Sequence, residues 1–108
     1  MKLQPGDLTE IPRSRFHGEY KTPGGKLVVV DFSVQNGLLV DVQIAGDFFL
    51  YPEDALARLC KALERSSSIA STMERAALLY CSLSPGDELI GLNAEAVAIA
   101  VERALSGT

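Results

Sequence analysis

Cys60, Cys81 and the only histidine, His17, are the residues of this 108-residue chain best suited to nucleophilic or metal chemistry. Their setting gives them little to work with. A Cys–His pair would need an ionised thiol. Yet Cys60 falls on the apolar helical stripe Leu56, Leu59, Cys60 and Leu63, and a thiol in apolar surroundings stays protonated. The two cysteines lack CxxC spacing, and one imidazole cannot build a structural zinc site with them. Both cysteines therefore read as small core residues, and His17 as a surface or half-buried strand residue. No catalytic residue and no metal ligand is expected.

Two other stretches carry chemical possibilities. In "KTPGGK", residues 21–26, two glycines leave backbone amides accessible between Lys21 and Lys26, features that suit an approaching phosphate or carboxylate. The spacing fits a hairpin turn better, with lysines keeping an edge soluble, and it lacks the lysine position and following helix of a nucleotide-binding loop. In "GDFFLYPED", residues 46–54, Gly46 and Asp47 can end a strand, but Phe48 and Phe49 cannot both enter one core from an extended backbone. One ring belongs under a helix and the other is free to anchor a partner surface. Continuing the alternation from an inward Ile44 sends Phe48 inward and Phe49 outward.

The elements that hold these stretches follow from periodicity. "RFHGEYKT" supports a short strand, and "KLVVVDFSVQ" and "LLVDVQIA" form a hairpin around Asn36-Gly37. A two-residue loop would set Asp41 opposite Phe32. A three-residue loop, residues 35–37, pairs Phe32 with Val40 and Val30 with Val42, and is the expected register. Asp31, Ser33, Gln35, Asp41 and Gln43 then form a wet face.

Helices are expected in the second half. One spans about 53–64, with Pro52 in its first turn. A second opens on a Ser71/Glu74 capping box, with Met73, Ala77, Tyr80 and Leu83 inward. A third is capped by Asn93, with Gly107 beyond its end. Strands followed by helices make an α+β fold, with an antiparallel sheet of three or slightly more strands and about three helices on one face.

Length and composition bound the rest. One domain is expected over residues 16–108, preceded by an extension, residues 1–15, with two prolines and no periodicity. "MKLQPGDLTEIPRSR" has no apolar run, so a signal peptide, an anchor and a membrane partner are not expected, and the cytoplasm is. The net charge of −4 argues against nucleic acid as a partner. Lys2, Arg13, Arg15, Lys21 and Lys26 outweigh Asp7, Glu10 and Glu19 in the first thirty residues, so an anionic partner or ligand would meet that end.

The block "YKTPGGKLVVVDFSVQNGLLVDVQIAGDFFLYPEDALARLCKAL", residues 20–63, resembles the accessory domain of lipoate-protein ligases, and "GDELIGLNAEAVAIAVERAL", residues 86–105, is similar to that family's closing loop and last helix. The resemblance implies a scaffold like that of the SufE/NifU proteins and a chain that is not catalytic alone. It would be the separate small subunit of a two-part ligase, binding no cofactor by itself. A catalytic subunit would bind lipoate, ATP and Mg and form lipoyl-AMP for transfer to lipoyl domains or the glycine-cleavage H protein. By this resemblance Lys21, Gly24, Gly25, Lys26, Asp47, Phe48 and Phe49 would lie at the interface near the adenylate. Two other readings stand beside it: an iron-sulfur or sulfur-transfer scaffold, which needs exposed thiolates, and a general interaction module.

Overall fold

The computed structural model describes residues 15–23, 26–64 and 66–106. The expected extension, apart from Arg15, lies outside them, as do Gly24, Gly25 and Gly107. The order of elements is β1 (Arg15–Lys21), β2 (Leu27–Gln35), β3 (Leu38–Gly46), β4 (Phe49–Tyr51), α1 (Asp54–Leu63), α2 (Thr72–Cys81), β5 (Glu88–Ile90) and α3 (Ala94–Ser106). β1, β2 and β3 form an antiparallel sheet in that order, and β4 and β5 form a second, two-stranded antiparallel sheet. The α+β class is as expected from the sequence. The small sheet, which sets a strand between α2 and α3, goes beyond it.

Apolar side chains alternate along β2 and β3 and meet the helices on one side. Val28, Val30, Phe32, Leu39, Val42 and Ile44 are buried with Leu59, Leu63, Leu79, Val97 and Val101. The helix α3 lies on β1 and β2, α1 lies on β3, and α2 packs on the two other helices. Gly18 sets the depth of the first contact: a Cβ there would run into the carbonyl oxygen of Ala100 and come within 2.7 Å of the Ala104 nitrogen. The alanines of α3 and the missing side chain of Gly18 let strand and helix backbones meet directly.

The hairpin register differs from the expected one. Gln35 pairs with Leu38 and Val34 with Leu39 across a two-residue loop, with Asn36 at φ 54° and Gly37 at φ 77°, the positive values of a type I′ turn. The conflict between Asp41 and Phe32 is resolved further along by a bulge. Ser33 pairs with Val40, but Asp31 pairs with Gln43, so β3 carries one extra residue, and Asp41 takes φ 53°. The bulge turns Asp41 outward and returns Val42 and Ile44 to the core. It also puts Leu39, not Leu38 or Val40, among the buried residues and draws Ser33 inside. Its loose backbone groups find side chains: Val42 N–H donates to Glu64 Oε2 at 3.1 Å, and the Asp41 carbonyl accepts from Arg15 Nη1 at 3.1 Å.

The helices hold three further differences. The first helix starts at Asp54, beyond Pro52, and buries Ala55, Leu59, Ala62 and Leu63, leaving Leu56 and Cys60 half-buried. The capping box of α2 forms as expected, Glu74 N–H donating to Ser71 Oγ and Ser71 N–H to Glu74 Oε1. Its inner face differs from the expected one: Arg75 and Leu79 are buried and Met73, Ala77 and Tyr80 face outward, while Leu83, just beyond the helix, packs on the core as expected. Cys81, expected in the core, is exposed. Asn93 caps the third helix, its Oδ1 accepting from Ala96 N–H at 2.7 Å. Among the described residues no helix is long and apolar enough to cross a membrane.

Candidate functional site

The turn after β1, the corner after β3 and the end of β5 converge at one place. Thr22 closes the turn: its N–H donates to the Lys26 carbonyl at 3.1 Å, and its Oγ1 accepts from Lys26 N–H at 3.0 Å. Lys21 and Lys26 are exposed on either side. The corner is tied to the same strand, Asp47 N–H donating to the Leu27 carbonyl at 3.2 Å. Gly91 lets the third segment in. At φ +81°, a Cβ there would lie 2.6 Å from Cγ of Lys26 and 3.2 Å from the Asp47 carbonyl oxygen. Only glycine brings the chain after β5 this close to both Lys26 and Asp47.

The small sheet sorts its side chains by alternation. Leu50 and Leu89 oppose each other and pack on the core, as does the half-buried Phe48. Phe49, opposite Ile90, points the other way, together with Tyr51, opposite Glu88. Phe49 is 64% exposed, Ile90 62% and Tyr51 60%. Three large apolar side chains on one wet face form a patch with Lys26 and Asp47 at its border.

A buried-side anchor holds this sheet to the helices. Arg58 of α1 reaches the loop before β5, where Nη1 donates to Asp87 Oδ2 at 2.7 Å and Nη2 to Asp87 Oδ1 at 2.9 Å. Nη1 also donates to the Ser82 carbonyl at 2.9 Å, and Ser84 N–H donates to Asp87 Oδ2 at 2.7 Å. Hydrogen bonds from Arg58 first, and then from the Ser84 amide, hold the Asp87 carboxyl down to about 2. The same hydrogen bonding pushes the Arg58 pKa up.

The sequence singles out Lys21, Lys26, Asp47, Phe48 and Phe49, and the structure gathers Lys26, Asp47 and Phe49 around one patch. Phe48 divides from Phe49 as strand alternation expects. Gly24 and Gly25 lie outside the described residues. Tyr51 and Ile90 join the patch without a signal in the sequence, because their exposure depends on pairing between β4 and β5, which no local pattern announces.

The histidine and the two cysteines are scattered. His17 is exposed on the wet side of the main sheet, with Nδ1 2.7 Å from Asp31 Oδ1 and Nε2 2.7 Å from Glu19 Oε2. Hydrogen bonds to Glu19 and then Asp31 raise its pKa above 6.5, because both ring nitrogens can donate only in the imidazolium form. Burial raises the Cys60 thiol. Cys81 opens onto a shallow recess beside Arg58, Lys61 and Ser82. Among the described residues no group of His, Cys, Asp and Glu could hold a metal ion.

No protein-family model matches the chain, and no curated protein matches it. Its fold is similar to that of a chain from an archaeal lipoylation system, a bi-partite lipoate protein ligase and its E2 lipoyl domain from Thermoplasma acidophilum. The TM-score is 0.64 at 24% sequence identity, over 83% of this chain and 97% of the other.

Proposed function

We propose that this chain is the accessory subunit of a two-part lipoate-protein ligase. It docks on a separate catalytic subunit and supports ATP-dependent formation of lipoyl-AMP there, for lipoylation of lipoyl domains or the H protein. The observation that carries the reading is the patch of Phe49, Tyr51 and Ile90 bordered by Lys26 and Asp47, on a fold like that of a chain from a bi-partite ligase system. The sequence resemblance over residues 20–63 points the same way, because it includes this corner.

The chemistry of the patch suits an assembly role. Aromatic and branched side chains on a paired strand lose little conformational freedom on burial and supply apolar area, and so they make efficient interface anchors. Lys21 and Lys26 add positive charge at the edge, in a chain whose remainder is acidic. Such a border orients the subunit toward an anionic region, as around ATP and the adenylate. Lipoate, ATP and Mg belong, in this reading, to the catalytic subunit. The same chain lends its rigid small sheet, which Arg58 and Asp87 fix, to hold the partner in an active arrangement.

Size-exclusion chromatography of the chain mixed with a lipoate ligase lacking its accessory domain tests the docking. Co-elution is expected, and separate elution at micromolar concentration overturns it.

A further inference from the structure

We propose that the groove between α2 and α3 docks an apolar segment of another protein that carries Lys or Arg on both sides of its apolar anchors. The groove has a volume of about 450 Å³ and is lined by Thr72, Met73, Ala77, Tyr80 and Ile99, with Glu95 at its edge. It shares no residue with the corner formed by Lys26, Asp47, Phe49 and Ile90.

α2 carries an apolar face on the outside, opposite its buried Leu79. Met73 is 83% exposed and Tyr80 69%. Met73, Ala77 and Tyr80 follow at i, i+4 and i+7, the spacing of a helix stripe built to be covered, while Leu83, beyond the helix end, packs on the core. α2 also buries Arg75, whose Nη2 donates to the Ser67 carbonyl at 2.6 Å while Nε and Nη1 have no acceptor among the described residues. A guanidinium left with unmet donors inside the protein destabilises this arrangement of the helix. α2 turns Ala76 and Leu79 to the core and still leaves Met73, Ala77 and Tyr80 uncovered, an apolar area suited to a segment of another molecule.

Charge identifies the kind of molecule. Glu95 borders the groove, Glu102 Oε1 accepts from Thr72 Oγ1 at 3.2 Å, and Glu74 is held in the capping box beside Met73. The two helices carry one cation each among their residues. Arg75 is buried, and Arg103 is turned to the other side of α3, over the Tyr20 ring at 5.0 Å and onto the Glu19 carbonyl. Arg75 lies within electrostatic reach of Glu74 and Glu102 and offsets part of their charge from inside, so the rim, with Glu95 exposed, presents acid and, among the described residues of α2 and α3, no surface cation. A second copy of this chain would bring two acidic rims together, whereas Lys or Arg flanking an apolar segment complements them. An amphipathic helix laid in a groove is the recurring form of such recognition.

The probe is a synthetic peptide with leucines at i, i+3, i+4 and i+7 and two lysines at each end, titrated into the full ¹⁵N-labelled chain. Amide shifts centred on Thr72, Ala77, Tyr80 and Ile99 are expected. Replacing the lysines by glutamates should weaken binding by at least about tenfold, and Tyr80→Ala should weaken it by about fivefold or more with an unchanged circular dichroism spectrum. Shifts elsewhere, no shifts, or equal binding of the glutamate peptide overturns the proposal. So does a dimer in sedimentation equilibrium that Tyr80→Ala dissolves, because it assigns the groove to a second copy. The result is independent of whether the corner binds a ligase.

Discussion

Both guanidinium nitrogens Nη1 and Nη2 of Arg58 are matched to the two carboxylate oxygens of Asp87, at 2.7 and 2.9 Å. The pair ties α1 to the loop that delivers β5, and through β5 it fixes the position of Ile90 opposite Phe49. Because the folded state holds the Asp87 pKa at about 2, below its ordinary 3.8, the carboxylate stabilises the fold above pH 3.8. That contribution is lost as pH falls toward 2. Asp87→Asn should therefore have a lower melting temperature than the wild type at neutral pH. The gap should close between pH 4 and 2 when melting is followed by circular dichroism.

The His17 contribution runs in the opposite direction with pH. Its folded pKa lies above 6.5, so the bonds to Glu19 and Asp31 stabilise the fold fully below pH 6.5 and fade as pH rises through the folded value. His17→Gln should lower the melting temperature most between pH 5 and 6 and little at pH 9. An NMR titration should place the His17 midpoint above 6.5.

The two neighbouring phenylalanines should separate in their effects. Phe49→Ala removes an exposed ring, so stability should change by less than about 0.5 kcal/mol, while association with the catalytic subunit weakens by about fivefold or more. Phe48→Ala empties a half-buried site against the core and should cost about 2 kcal/mol in urea unfolding.

Gly18 should tolerate no side chain. Gly18→Ala would press a methyl group into the backbone of α3 at Ala100 and Ala104, and the cost should be about 3 kcal/mol or more, measured by urea unfolding.

Much of this arrangement was legible in the residues, and where it was not the reasons are physical. Ser71 and Glu74 announce a helix start because the capping box is local chemistry. Asn36-Gly37 marks the hairpin for the same reason, since both residues accept positive φ. The register is not fixed by local pattern, because the aspartate conflict has two solutions, a longer loop or a bulge. The bulge is favoured by Glu64 and Arg15, side chains distant in sequence that bind the freed groups. The orientation of α2 does not follow from its apolar spacing, because Met73, Ala77 and Tyr80 compete with Ala76 and Leu79 for the core and the latter pair is the one turned in. At the corner, alternation from Ile44 expects Phe48 inward and Phe49 outward, and the outcome agrees although β3 ends at Gly46 and Phe49 opens β4. Tyr51 and Ile90 join the patch only through strand pairing across some forty residues of chain.

The most direct measurement is the rate of lipoyl-AMP formation from lipoate and ATP by a catalytic ligase subunit that lacks an accessory domain. Pyrophosphate release is followed with and without this chain. Addition of the wild-type chain should raise the rate severalfold, and Phe49→Ala should need a higher concentration to reach the same rate. An unchanged rate at saturating concentrations of a chain that demonstrably binds the catalytic subunit would contradict the role in adenylation.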